Sequence, residues 1–296
     1  MNSDIAVAKR QTLAESLGGA LARLRTRNDA AGNVASSFRR RKLLENLTGQ
    51  ALGATVILSL FAAWEIAART GLVDPMFSSS PSAVVLTGIT MINDGTLARH
   101  FLASFKIYVV GVGLSILLGV PIGVAAGWFK WVNRAFSPLI SAFYTMPRIA
   151  LMPVFIIWFG LGMEAKVALV LMSAIFPLLV NMQVAMQNID PEFKRVGVAY
   201  GASQWQLFRT VALPSSVPFL LTGLRLSMGR GMLGVIAAEI FGGAEGLGYL
   251  IQYAGATFQI DVVFVGVVVI AGFGVIVDRS LAHIATRVDS WKITSS

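Results

Sequence analysis

Residues 167–186 read VALVLMSAIFPLLVNMQVAM, a run without one charged side chain. A helix of about 20 apolar residues is long enough to cross the hydrocarbon core of a bilayer. The whole chain has the same character, because 55% of its 296 residues are hydrophobic and only 13% are charged. A typical soluble domain has about 25% charged residues. The sequence therefore indicates an all-α membrane protein.

Further segments of this kind predict a bundle of six transmembrane helices. The first predicted span holds Glu65 near its end, the third holds Arg148, and the fifth holds Arg225, Arg230 and Glu239. The other three are uncharged. The predicted spans are residues 52–68, 107–128, 135–159, 167–186, 215–240 and 262–277.

Lysine and arginine set the expected orientation of this bundle. With the N-terminus inside, the inner segments hold most of the 24 basic residues, including the run at 39–42. Cytoplasmic loops of membrane proteins carry such an excess, so we expect both termini in the cytoplasm. The same excess explains the net charge of +9, so we expect no nucleic-acid binding. The outer segments hold only Arg69, Arg99, Lys106 and Lys166.

The basic run belongs to a polar N-terminal extension, and we expect three regions in the chain. Residues 1–46 would be a cytoplasmic extension, 47–287 the transmembrane domain and 288–296 a cytoplasmic tail. The extension is interpreted as a solvated arm that anchors the topology. An amphipathic helix around residues 14–24 is the alternative within it.

Several kinds of chemistry are excluded or disfavoured by composition. The chain has no cysteine, which excludes disulfides and thiolate metal sites. Its two histidines, His100 and His283, have no ligand-spaced partners. The phosphate-binding pattern G-x-x-x-x-G-K-[ST] is absent. We therefore expect no catalytic residues and no metal ligands.

The segment between the fourth and fifth spans predicts two short helices joined by a glycine turn. Asp190 before Pro191 favours a helix start. Gly201 can take the left-handed conformation that ends such a helix. Ser203 is a second N-cap candidate, and Pro214 marks the expected break before span five. The predicted orientation places this segment, residues 190–214, in the cytoplasm.

Two aromatic residues in this segment, Trp205 and Phe208, are predicted to share one face of the second short helix. Such a helix can dock into a groove of another protein. The alternative for both side chains is packing against their own bundle. For Gly201 the alternative is a helix cap without a partner.

At this point the sequence resembles a family. Residues 195–214 are similar to the EAA loop of permease subunits in bacterial ABC importers, in which Glu-Ala-Ala precedes Gly by three residues and Ile-x-Leu-Pro follows that Gly after nine. Gly201, Leu213 and Pro214 match the pattern and Val211 replaces Ile. Residues 195–197 read RVG, so the chain departs from the Glu-Ala-Ala part of the pattern.

Other stretches resemble one branch of this family, the nitrate/sulfonate/taurine-type permeases. The resemblance covers about residues 50–285. It rests on WEIAAR at 64–69 with SPS at 80–82, on MPRIALMP at 146–153 with WFGLG at 158–162, and on AEIFG at 238–242 with GLGYLI at 246–251.

The resemblance implies a type I ABC importer permease fold in the bacterial inner membrane. It implies a second permease copy, which symmetry suggests is identical, two cytoplasmic ATPase subunits and a periplasmic or lipid-anchored substrate-binding protein. It implies a nitrate, sulfonate, taurine or similar organic anion as substrate. The chain itself would be no enzyme and would hold no cofactor, since ATP and Mg would bind the ATPases. Membrane lipid would surround the chain.

Two groups of residues are the candidate sites. Coupling to the ATPases is expected at Arg195, Tyr200, Gly201, Ala202, Ser203, Trp205, Phe208, Leu213 and Pro214. The substrate pathway is expected at Arg148, Arg230 and Glu239, because buried charges in membranes usually face a cavity or a partner. A structural pair with Glu239 or with a helix carbonyl is the alternative for the arginines. A simple glycine-rich turn is the alternative to a gate at Glu239.

Three other classes of protein fit the sequence less well than an importer permease. A self-contained, ion-coupled secondary transporter often has inverted repeats, which the sequence does not display. An intramembrane enzyme needs a nucleophile with its base or a metal cluster. A purely structural subunit has no use for charged residues in its spans.

Overall fold

The computed structural model describes residues 48–49, 51–74 and 77–289. All regular structure within these ranges is helical, as the composition indicates. The N-terminal extension predicted at 1–46, with its alternative helix around 14–24, lies outside the described residues. So do residues 290–296 of the predicted tail.

The chain divides into two units, Met1–Ile66 and Ala67–Ser296. The described part of the first unit holds most of helix α1 (Ala51–Arg69), which is long and apolar enough to cross a membrane. The rings of Phe61 and Trp64 lie 6.2 Å apart on it.

The second unit holds the remaining helices. The short helix α5 follows a 3-10 turn at Arg148–Leu151, and α8 continues through a π-helical turn at Phe208–Ala212 into α9. The helices are α2 (Pro81–Asn93), α3 (Thr96–Trp128), α4 (Lys130–Thr145), α5 (Met152–Phe159), α6 (Met163–Gln187), α7 (Pro191–Ala199), α8 (Gln204–Leu207), α9 (Leu213–Gly242), α10 (Leu247–Ala256) and α11 (Ile260–Asp289).

Helices α3, α6 and α9 form the centre of the second unit, and glycines permit their close approach. On α3, Gly119, Gly123 and Gly127 all face α6, as their spacing indicates. A Cβ atom at Gly123 would lie 2.8 Å from the Cβ of Met182, closer than real side chains approach. The glycine spacing therefore leaves one face of α3 flat against α6.

Five described helices are long and apolar enough to span a membrane: α1, α3, α6, the α8–α9 helix and α11. Helices α4 and α5 would form a sixth span, but they meet at an angle of 94°. The third span predicted at 135–159 is therefore present as a broken pair of helices rather than as one continuous helix. Pro147 has no N–H to donate and disfavours helical geometry at Met146, whose ψ is 137°.

The predicted break at Pro214 is wrong. Helix Gln204–Gly242 runs through this position without a bend that divides it. Pro214 lies in the first turn of α9, where the missing N–H of proline costs little. The preceding π-helical turn shifts the hydrogen-bond pattern. Pro214 therefore does not interrupt a regular series of α-helical hydrogen bonds.

Candidate functional sites

The predicted glycine turn is present and closes α7. The Asp190 side chain accepts a hydrogen bond from the backbone N–H of Glu192 at 2.8 Å, which caps the helix start. At the other end Gly201 has φ +76°. The N–H groups of Gly201 and Ala202 donate to the carbonyls of Val198 and Gly197, both at 2.9 Å. These bonds form a Schellman motif.

Ser203 starts α8 through a capping box, as predicted. Its backbone N–H donates to the Gln206 side chain at 2.7 Å, and the N–H of Gln206 donates to the Ser203 hydroxyl at 3.3 Å. The chain direction between α7 and α8 is therefore fixed by local hydrogen bonds. The turn is a rigid unit rather than a loose connection.

A contact that the sequence did not reveal holds α7 against α8. Leu207 is buried, and any Cβ atom at Gly197 would collide with its side chain. Gly197 occupies a position where the EAA pattern has Ala. The departure at that position is therefore explained by the packing of Leu207.

The two predicted docking aromatics have different surroundings. Phe208 is half-buried, and its ring lies 5.1 Å from the ring of Trp128 at the end of α3. Phe208 therefore packs against its own bundle, which was the alternative interpretation. Trp205 stacks on Phe208 at 5.4 Å but keeps 66% of its surface exposed.

Helix α7 presents an apolar face to solvent. Phe193, Val196 and Tyr200 follow the spacing of one helix face, and 89% of Tyr200 is exposed. We name these three residues together with Trp205 the coupling patch. Of the other predicted coupling residues, Arg195, Ser203, Leu213 and Pro214 are exposed and Ala202 is half-buried.

The break between α4 and α5 brings Arg148 and Arg230 to one cavity. The cavity has a volume of about 310 Å³. Arg148 comes from the 3-10 turn and Arg230 from α9, so sequence separation concealed this meeting. The remaining lining residues are Tyr144, Thr145, Met146, Pro147, Ile149, Ser173, Leu233 and Gly234.

The Arg148 guanidinium is held on one side only. Its Nη2 donates to the carbonyl of Tyr144, and its Cζ lies 5.8 Å from the ring centroid of Tyr144 and 5.7 Å from that of Phe176. Its Nε is buried and has no hydrogen-bond partner. No carboxylate forms a salt bridge with Arg148 or Arg230 within residues 51–74 and 77–289, so the alternative of a pair with Glu239 is absent there. The bond to the Tyr144 carbonyl is the helix-carbonyl alternative, and it is present for Arg148.

Glu239 has its own partners and is completely buried. The Ser104 hydroxyl donates to this carboxylate, with Oγ 2.7 Å from Oε1, and the Gly248 N–H donates to Oε2 at 2.8 Å. Gly246, with φ +121°, lies against the carboxylate where no side chain would fit. Glu239 therefore fixes the glycine-rich turn before α10.

Two further residues on α3 complete this arrangement. The N–H of Leu247 donates to the Ser104 hydroxyl at 2.8 Å, and the N–H of Gly246 donates to Nδ1 of His100 at 3.1 Å. The first N–H groups of a helix lack partners within it, and here α3 and α9 supply them. Ser104 and His100 were missed because the acceptors of a helix start can come from any part of the chain.

Arg225 on α9 forms a separate, bidentate ion pair with Asp278 on α11. Its Nε lies 2.5 Å from Oδ1 and its Nη2 2.8 Å from Oδ2. Arg225 is therefore neutralised, in contrast to Arg148 and Arg230.

Several known proteins resemble the chain. It is 30% identical over 237 residues to the taurine transport system permease protein TauC of Escherichia coli, covering 78% of this chain and 86% of that protein. It is 31% identical over 244 residues to the formylaminopyrimidine transport permease protein ThiX of Halalkalibacterium halodurans, covering 82% and 97%.

Solved structures show the fold. The inward-facing MetNI methionine ABC transporter matches with a TM-score of 0.57 at 20% identity, covering 65% of this chain and 95% of that one. The expected type I ABC importer permease fold is thereby confirmed. The apolar helices and the permease relatives make the chain a multi-pass inner-membrane transport subunit rather than an enzyme.

The sequence also matches a protein family of transport permeases. Residues 119–290, from the middle of α3 to the end of α11, match the family described as binding-protein-dependent transport system inner membrane component. The chain belongs to this family of ABC importer permeases.

Proposed function

We propose that this chain forms the translocation pathway of an ABC importer for a small organic anion. An external binding protein delivers the anion, and two cytoplasmic ATPases drive its transport. A second, identical copy of the chain completes the pathway. Both termini lie in the cytoplasm, with the coupling patch on the same side.

The coupling segment carries the proposal. Its turn is fixed by the Schellman motif at Gly201 and the capping box at Ser203. Beside this turn lies an apolar patch that the protein leaves uncovered, with Tyr200 and Trp205 as its most exposed members. Exposed aromatic residues on a rigid helix support docking to a partner.

The chain has a direct connection from this segment to the cavity. Helix α9 follows the π-helical turn without a loop, and Arg230 lies on it. Leu213 and Pro214 are the first residues of α9, which is why they belong with the coupling residues. ATP binding drives transport only if it stabilises one state of the bundle over the other.

The cavity favours an anion over other substrates of the relatives. Taurine carries a sulfonate, and so do the aliphatic sulfonates named for a third relative, the putative permease SsuC of Bacillus subtilis, which is 30% identical over 252 residues. Formylaminopyrimidine does not carry one. Identity of 30–31% to all three does not choose among them. Two unpaired guanidinium groups in one cavity favour the sulfonate type.

Glu239 has an indirect role in this proposal. Its carboxylate is buried and already accepts hydrogen bonds from Ser104 and Gly248. It therefore acts on the pathway by holding α10, without touching the substrate. The role proposed for Arg195 is partner contact, because its side chain is exposed beside the coupling patch.

Copurification tests the partner contact. The tagged chain is purified from its native membranes in mild detergent, and copurifying proteins are identified by mass spectrometry. We expect an ATPase with the wild type and at least a tenfold loss with Trp205→Ala. The matched control is Trp158→Ala on α5, where the side chain is 68% exposed; this variant should retain the ATPase.

The same preparation separates the proposal from a self-contained secondary transporter. Reconstituted transport should stop when the copurified ATPase carries an inactivating substitution. Transport that continues with the inactive ATPase would overturn the ABC mechanism and favour an ion-coupled carrier. A wild-type chain that purifies without any ATPase would also contradict the proposal.

A further inference from the structure

We infer that Arg148 and Arg230 together form one binding site for the oxyanion head group of the transported molecule, such as a sulfonate. The inference rests on the proposed function above and adds the residues that recognise the substrate. The two arginines act as a pair, because the helix break between α4 and α5 brings both to the same cavity.

The geometry leaves hydrogen-bond donors free for a ligand. One edge of Arg148 is occupied by the Tyr144 carbonyl, and its plane lies near the rings of Tyr144 and Phe176. Its Nε is buried without an acceptor, so the donors that remain for a ligand are the other N–H groups of the guanidinium. A guanidinium donates through five N–H groups in a fixed plane, and this arrangement suits oxyanions.

The described residues supply no carboxylate in a salt bridge to either cavity arginine, which favours an anion from outside. Glu239, the acidic residue on α9, is bound to Ser104 and Gly248. Asp278 is bound to Arg225. The two cavity arginines thus repel each other in a partly buried site with no salt-bridged carboxylate. Such charges are costly in a membrane unless a counter-charge is present.

The serine and threonine hydroxyls of the cavity do not replace the arginines as donors. Ser173 donates to the carbonyl of Leu169 at 2.8 Å. Thr145 donates within its own helix, to Ser141 and Ala142. Both of these hydroxyl hydrogens are therefore already used, which leaves the guanidinium groups and the Tyr144 hydroxyl as donors to an anion.

The cavity size limits the ligand to a small molecule. Its volume of about 310 Å³ lies at the lower end of the range for small-molecule sites. A head group with a short carbon chain fits this volume. The surrounding Ile149 and Leu233 are apolar and suit such a chain.

The test uses two probes of similar shape and different charge, methanesulfonate and neutral dimethyl sulfone. The full complex is placed in nanodiscs, and binding is titrated by saturation-transfer NMR. We expect methanesulfonate to bind the wild type at least ten times more tightly than dimethyl sulfone. Arg148→Gln and Arg230→Gln should each weaken methanesulfonate binding about tenfold or more, since each removes a charged donor.

Two further variants keep the test specific. Arg225→Gln removes an arginine of the same helix that is already paired with Asp278, and it should leave methanesulfonate binding unchanged. Arg148→Lys retains the charge with fewer donors and should bind with intermediate affinity. Equal binding of both probes, or unchanged binding in both glutamine variants, would overturn the inference.

The outcome is independent of the partner contact. ATPase copurification and ATP-dependent transport test the proposed function, whereas the probes test the arginine site. A complex that retains its ATPase but binds methanesulfonate no better than dimethyl sulfone would refute the anion site alone.

Discussion

The hydroxyl of Ser104 on α3 donates to the Glu239 carboxylate on α9 while it accepts the N–H of Leu247 at the start of α10. One small side chain therefore joins three helices. All of these groups are buried, so each hydrogen bond replaces water that cannot reach it.

Ser104→Ala should destabilise the protein measurably. The change leaves the Leu247 N–H without its acceptor and removes one donor from the Glu239 carboxylate, and unsatisfied buried groups cost about 1–3 kcal/mol each. Thermal unfolding of the purified protein checks this as a lower melting temperature. Ser280→Ala is the matched control, because that exposed hydroxyl donates only to Ile276 of its own helix. Equal melting temperatures for the two variants would contradict the role of Ser104.

Gly201→Ala should lower stability through the backbone alone. Gly201 has φ +76°, and no other atom lies within 4 Å of an added Cβ. The left-handed conformation costs a non-glycine residue about 1–2 kcal/mol. Gly113→Ala on α3 has equal space around the new Cβ but lies within a right-handed helix, where alanine is favoured by up to about 1 kcal/mol. Denaturation of both variants should give shifts of opposite sign; the same sign in both would refute the explanation.

Asp94 should contribute to stability in a pH-dependent way at the α2–α3 connection. Its carboxylate accepts the N–H of Thr96 at 2.8 Å, and hydrogen bonds from Thr96 lower the pKa of Asp94. A lowered folded-state pKa means that the contribution is complete above the unfolded value of about 3.9 and is lost as pH falls through the folded value. Unfolding of wild type and Asp94→Asn at pH 7 and pH 3 checks this. The difference between them should shrink at pH 3, and a growing difference would contradict the assignment.

The sequence predicted those features that depend on neighbouring residues. The caps at Asp190 and Ser203 and the turn at Gly201 all form through bonds within a few positions. The apolar length of the spans is likewise a local property, and the glycine spacing on α3 correctly indicated a packing face.

The features that were missed depend on distant or competing interactions. The presence of Pro147 did not reveal a 94° break, because proline also occurs within helices such as α6, at Pro177. The break is what brings Arg148 to Arg230. Similarly, the contact between Gly197 and Leu207 depends on the angle between two helices, which sequence spacing does not define.

The unbroken helix Gln204–Gly242 acts as a lever. Its 39 residues make it about 58 Å long, and Arg230 lies about 39 Å from the end that bears Trp205. A tilt of about 5° around that end would displace Arg230 by about 3 Å at this rise per residue. A displacement of that size is enough to break a hydrogen bond. A small rotation at the coupling patch would thus be enough to change how firmly the cavity holds the anion that we propose for it.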